Sequence, residues 1–127
     1  MGSTVYLYPK VGKHFDANEL RRSFLERQYV AADPTVDDGI VIASNSDELE
    51  QAVSQLAEYP DKPVWTVLAS FSSTEIVLEL DAPRNILNAF QPIYEELLSD
   101  QIDRAEDDES RIIEPATGSS LIETLLN

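Results

Sequence analysis

The sequence predicts an α/β class domain: a small, single-domain layer fold with elements in the order β-α-β-α-β-β-α and a further C-terminal helical segment. Three observations carry this reading. Short runs rich in β-branched and aromatic residues alternate with stretches whose apolar residues recur every three or four positions. Cap and turn residues mark their junctions. Strands separated by helices favour right-handed crossovers and parallel pairing. The alternative is a ferredoxin-like α+β sheet, which requires one of the helices below to be absent.

Thr4-Val5-Tyr6-Leu7-Tyr8 reads as the first strand, ended by Pro9, with Tyr6 and Tyr8 on one face and Val5 and Leu7 on the other. Asp16-Ala17-Asn18-Glu19 has capping-box spacing, and Leu20, Phe24 and Tyr29 supply the stripe of the helix it opens. Asp33-Pro34 and Asp37-Asp38-Gly39 are turn chemistry. Gly39-Ile40-Val41-Ile42-Ala43 is continuously apolar, the pattern of a strand buried on both faces. Asn45 and Ser46 then supply cap oxygens, and Leu49, Ala52, Val53, Leu56 and Ala57 mark the clearest helix. Tyr59-Pro60-Asp61-Lys62-Pro63 stops it.

Val64 to Ala69 is the third strand, turned by Ser72-Ser73-Thr74 into a fourth, Ile76 to Leu80, whose Glu75, Val77 and Glu79 point away from Ile76, Leu78 and Leu80. Asp81 with Pro83 starts a helical region carrying Ile86, Leu87, Phe90, Ile93, Tyr94, Leu97 and Leu98. Pro92 inside it predicts a kink or two consecutive short helices. From Ser99 the polarity rises, and Leu121 to Leu126 reads as a short terminal helix.

The 127 residues have the length of one domain, 1–127, and their 43% apolar content suits a globular chain. There is no cysteine, which removes disulfides, thiolate metal sites and cysteine nucleophiles, and leans towards a reducing, cytoplasmic setting. No apolar run approaches the length of a membrane span, so no membrane association is expected.

Charge is the unusual feature. Twenty-four acids against nine bases leave a net charge of −15. Residues 1–30 sum to +2, whereas residues 31–127 sum to −17. Such a field opposes direct nucleic-acid binding and favours a basic protein partner, or it is an adaptation to salty solvent.

Tests for chemistry return little. His14 is the only histidine, with no cysteine or second histidine to complete a metal site, and reads as a surface residue. No serine sits in a nucleophile motif, and the four scattered glycines form no phosphate loop. Ser70, Ser72 and Ser73 read as turn hydrogen bonders. Glu95-Glu96 and Asp107-Asp108-Glu109 could hold a divalent ion or act as acid and base, but a charge run is usually a solvated face. No cofactor and no catalytic residue is therefore assigned. Trp65, a lone tryptophan on a strand, reads first as core, and second as an interface anchor beside the proline turn with Tyr59.

The candidate partner-binding residues are Glu96, Asp100, Asp103, Asp107, Asp108 and Glu109. If residues 100–109 continue a helix, Glu96, Asp100, Asp103 and Asp107 share one face, whose mutual repulsion a cationic partner would relieve. The competing reading of the acidic segment, about 100–120, is a mobile loop. The general character is similar to that of small acidic immunity proteins and nucleic-acid mimics, a likeness of type with no motif behind it. The expected function is accordingly a non-catalytic acidic binding protein that occludes a basic partner, such as an inhibitor of a nuclease-type toxin. Two alternatives stand: a halophile-adapted globular protein whose acidity serves the solvent, and a small carboxylate-dependent enzyme.

Overall fold

The computed structural model describes residues 4–62, 64–109 and 111–113. They form a mixed layer fold: one sheet with helices on both faces. The elements are β1 (Thr4–Pro9), α1 (Ala17–Leu25), β2 (Val30–Ala32), β3 (Gly39–Ile42), α2 (Ser46–Glu58), β4 (Val67–Phe71), β5 (Ile76–Glu79), α3 (Arg84–Leu97), a 3-10 turn (Ser99–Gln101), β6 (Ile102–Asp107) and β7 (Ile112–Ile113). Among the described residues the strands form a sheet of order β2-β3-β4-β5-β1-β6-β7. The expected terminal helix at Leu121 to Leu126 lies outside the described residues.

The expected parallel pairing is not found, since every neighbouring pair is antiparallel. The β3–α2–β4 connection shows why. A parallel neighbour needs the helix alone to carry the chain back along the sheet. Here α2 spans about 20 Å, and the chain after it returns to the end it left, so that β4 starts where β3 stops. Ile42, the last residue of β3, therefore faces Val67, the first of β4. The Thr66 hydroxyl seals this return by donating to the Ile42 carbonyl.

Local chemistry explains most boundaries. The Asp16 carboxylate caps α1 by accepting from the Glu19 amide (3.2 Å), while Glu19 pairs with Arg22 instead of reaching back. Tyr29 lies beyond α1 with φ 63°, a left-handed residue that turns the chain into β2 and is not part of the helix stripe. Asp33 Oδ1 accepts from the Thr35 amide (2.8 Å) and hydroxyl (2.7 Å), opening the β2–β3 turn. Gly39 closes that turn, where a Cβ would meet Val36, Asp33 and the Ala69 carbonyl. In the β4–β5 turn, Ser72 Oγ donates to the Glu75 carbonyl (2.8 Å) and accepts from its amide (3.1 Å). α3 is one helix running through Pro92, which lies on the exposed side with Asn88, so the carbonyl left without its donor faces water.

The two faces of the sheet are covered unequally. On one, α1 and α3 bury Leu20, Phe24, Ile86, Phe90 and Tyr94 against Val5, Leu7, Ile40, Ile42, Phe71, Ile76 and Leu78. On the other, α2 packs Ala52 and Leu56 against Val41 and Val64, with Leu68 partly covered. Because β3 is sandwiched between both layers, its four residues are all buried, as the continuous apolar run predicts. Among the described residues the α2-side core reaches no farther into β5, β1 or β6.

Candidate functional site

Beyond the reach of α2, the outward residues of β5, β1 and β6 form a second surface. Tyr6 lies opposite Val77 on one side and Glu106 on the other. Tyr8 lies opposite Arg104, whose guanidinium sits 4.4 Å from the ring centroid and pairs with Glu106 at 2.6 Å. Partial burial and the nearby Glu106 and Glu75 carboxylates push the Tyr8 phenol upwards, against the opposing effect of Arg104. This half of the sheet is a ledge of aromatic rings edged by Glu75, Glu79 and Glu106.

A groove of about 680 Å³ runs between that ledge and the loop after α2. Its walls are Leu68, Ser70, Val77 and Glu79 of the sheet, the Asp33–Val36 turn, and Pro60, Asp61, Lys62, Val64 and Trp65 of the loop. Asp81 also lines it. Trp65 is 73% exposed and Tyr59 51%, so the expectation of a core tryptophan is corrected. The reason is local: Val64 and Thr66 turn inwards, and alternation throws Trp65 out. The strand begins only at Val67, and Trp65 belongs to the return loop. Lys62, the only base among the described lining residues, holds its ammonium 4.6 Å from the Tyr59 ring centroid.

The acids singled out from the sequence take other places. The helical row expected over 100–109 does not form, because Ile102–Asp107 is β6, paired with β1. Over those residues strand replaces the loop expected for about 100–120, while residues 110 and 114–120 lie outside those described. Glu96, on α3, pairs with Arg27 at 2.7 Å, which holds its carboxyl below the ordinary range. Asp100 lies exposed in the 3-10 turn. Asp103 is the extra residue where the β1–β6 register shifts, and it is exposed. Asp107 accepts from the amides of Glu109 and Arg111 and from Arg111 Nε, each at 2.9 Å. Its carboxyl is held low, chiefly by the Arg111 amide. Asp108 and Glu109 form the turn to β7, Glu109 lying 3.4 Å from the Arg111 guanidinium. Asp107, Asp108 and Glu109 are thus together at one hairpin, apart from Glu96 and Asp100 at the end of α3.

One polar network links separate elements. Ser44 donates its amide (3.1 Å) and hydroxyl to Glu48 Oε1, and Asn85 Nδ2 donates to Glu48 Oε2 (3.0 Å) and to Ser44 Oγ (2.8 Å). Asn45 caps the same helix by accepting from the Glu48 amide at 2.9 Å. These bonds hold the Glu48 carboxyl low, the Ser44 hydroxyl most of all, which makes it a poor proton acceptor for that serine. The network ties the starts of α2 and α3 together. His14 is exposed in the loop after β1. Among the described residues, no three or more His, Cys, Asp or Glu side chains group as metal ligands, and no helix is long and apolar enough to cross a membrane.

The groove acids Asp33, Asp61 and Glu79, and the ledge acids Glu75 and Glu106, were missed as a site by sequence reasoning. Only the alternation of Glu75, Val77 and Glu79 signalled an outward face. Comparison with protein-family models finds no match, and comparisons with curated proteins and with solved structures find none either.

Proposed function

We propose that this chain is a non-catalytic binding protein that occludes a basic protein surface, in the manner of an immunity or inhibitor protein of a nuclease-type toxin. One observation carries the reading: no described helix covers half of one sheet face, which carries two half-buried tyrosines edged by Glu75, Glu79 and Glu106 in a chain of net charge −15. A solvated sheet face has no need of aromatic rings, whereas a partner gains contact area from them at little entropic cost. The acids would steer a cationic partner towards the same face and make its association fast and salt-sensitive.

A second reading has its own support. Exposed acids also lie on elements outside the ledge, among them Asp47, Glu50 and Glu58 of α2, Glu95 of α3 and Asp100 of the 3-10 turn, as an adaptation to salty solvent would distribute them. Thermal melts followed by circular dichroism, from low salt to molar potassium chloride, separate the two. Exposed charges are screened beyond about 10 Å at 0.1 M salt. The binding reading expects a folded protein at low salt whose melting temperature levels off above that range. Folding that requires molar salt would assign the acidity to the solvent and remove the main support for a basic partner.

A further inference from the structure

We infer that the groove beside Trp65 receives an arginine-bearing segment of the basic partner, the guanidinium lying against the indole and between the Asp61 and Glu79 carboxylates. The inference rests on the binding reading above and specifies which part of the surface reads the partner and by what chemistry.

The groove has the volume of a side-chain or small-ligand site, about 680 Å³. Among the described lining residues, Asp33, Asp61 and Glu79 face a single base, Lys62, and that ammonium sits over Tyr59. Neither Asp61 nor Glu79 has an ion-pair partner among the described residues, unlike Glu96 and Asp107, which are paired with arginines. Asp33, also in the wall, accepts both of its printed hydrogen bonds, from the Thr35 amide and hydroxyl, on Oδ1 and adds its charge to the groove.

Trp65 decides the class of cation. The largest aromatic surface in the chain stands 73% exposed at the edge of this groove. Tryptophan is the best ring for a cation above its face, and guanidinium stacks on it while presenting in-plane donors to carboxylates. Lysine can satisfy the charge but not the stacking. Nucleic acid and anionic lipid are repelled by the same carboxylates.

Trp65 is the single tryptophan, so its emission reports on the groove alone. The full chain is titrated at low salt with an arginine octapeptide and, separately, with a lysine octapeptide of equal charge, following both calorimetry and Trp65 emission. The arginine peptide is expected to give a saturable emission change and to bind at least about fivefold more tightly than the lysine peptide. The double variant Asp61→Asn/Glu79→Gln should weaken it about tenfold or more. Glu95→Gln/Asp100→Asn, which removes the same charge at α3 and its end, should weaken it less than about threefold. All four positions are exposed, and circular dichroism confirms that both variants keep the fold. Equal weakening by the two pairs, or equal affinity for the two peptides, overturns the groove assignment but leaves the basic-partner reading standing. Calorimetry without binding of either peptide overturns both.

Discussion

The two faces of the sheet use the same strands for different ends. On β5, Ile76 and Leu78 are buried under α1 and α3, while Val77 between them is half-covered and Glu79 is exposed. On β1, Val5 and Leu7 are fully buried and Tyr6 and Tyr8 are not. The first face runs without a break from β3 to β6 and carries nearly all of the core. The second is closed by α2 over β3 and β4, and among the described residues no helix packs on it beyond them. Period-two alternation thus lets one strand hold the fold with alternate residues and present a surface with those between them. A surface built this way can change its chemistry with little cost to the core beneath it.

The sharpest way to break this comparison is to truncate neighbours on one strand. Leu78→Ala opens a cavity in the closed face and should cost about 2–5 kcal/mol. Val77→Ala, one residue away, removes half-covered methyl groups and should cost about 1 kcal/mol or less. Urea denaturation of the full chain measures both, with the slope as a check that the two variants unfold the same surface. Equal losses would mean that the α2-side face is packed over β5 as well, and no open ledge would remain.

A smaller effect is expected where α2 is fastened. Asn45→Ala removes the cap on the Glu48 amide and should cost about 1 kcal/mol. Glu48 adds a pH signature. Its carboxyl is held below the ordinary value of 4.5, chiefly by the Ser44 hydroxyl, then by Asn85. A depressed folded value means stability that is fully present above the unfolded value and lost as pH falls through the folded one. Melting temperatures between about pH 5 and pH 3 should therefore fall less steeply in Glu48→Gln than in the parent chain. An unchanged slope would show that the network does not hold the start of α2 against the start of α3.

Much of the closed face could be read along the chain, and little of the open one. The β3 run, the α2 stripe and the inward set Ile76, Leu78 and Leu80 follow from burial periodicity, which sequence records directly. β2 was not read, because Val-Ala-Ala is too short to show a period. β6 was not read because its inward residues, Ile102 and Ala105, are three apart. The register shift at Tyr8 and Pro9 inserts Asp103 and breaks the alternation, so a strand looked like a polar tail. That one bulge also decided the site, since a helical row of acids was expected where β6 supplies Arg104 and Glu106 to the ledge. The groove depends on sheet order and on the course of the return loop, and neither follows from local pattern.

The smallest expected effect on stability concerns Arg104, and it runs opposite in sign to the other changes on the open face. Its guanidinium covers Tyr8 at 4.4 Å and pairs with Glu106 at 2.6 Å, from a side chain that is itself 46% exposed. Screened by solvent, such contacts are worth less than about 1 kcal/mol, so Arg104→Gln should barely change the urea midpoint. It does uncover the Tyr8 ring and leave Glu106 without its counter-charge. If the ledge is where a cationic protein lands, this variant should bind the arginine octapeptide about two- to fivefold more tightly at low salt, with the gain vanishing as salt rises. Calorimetry at two salt concentrations measures it. Weaker binding would place Arg104 itself among the contacting groups, and the ledge would then have to meet a partner with acids of its own.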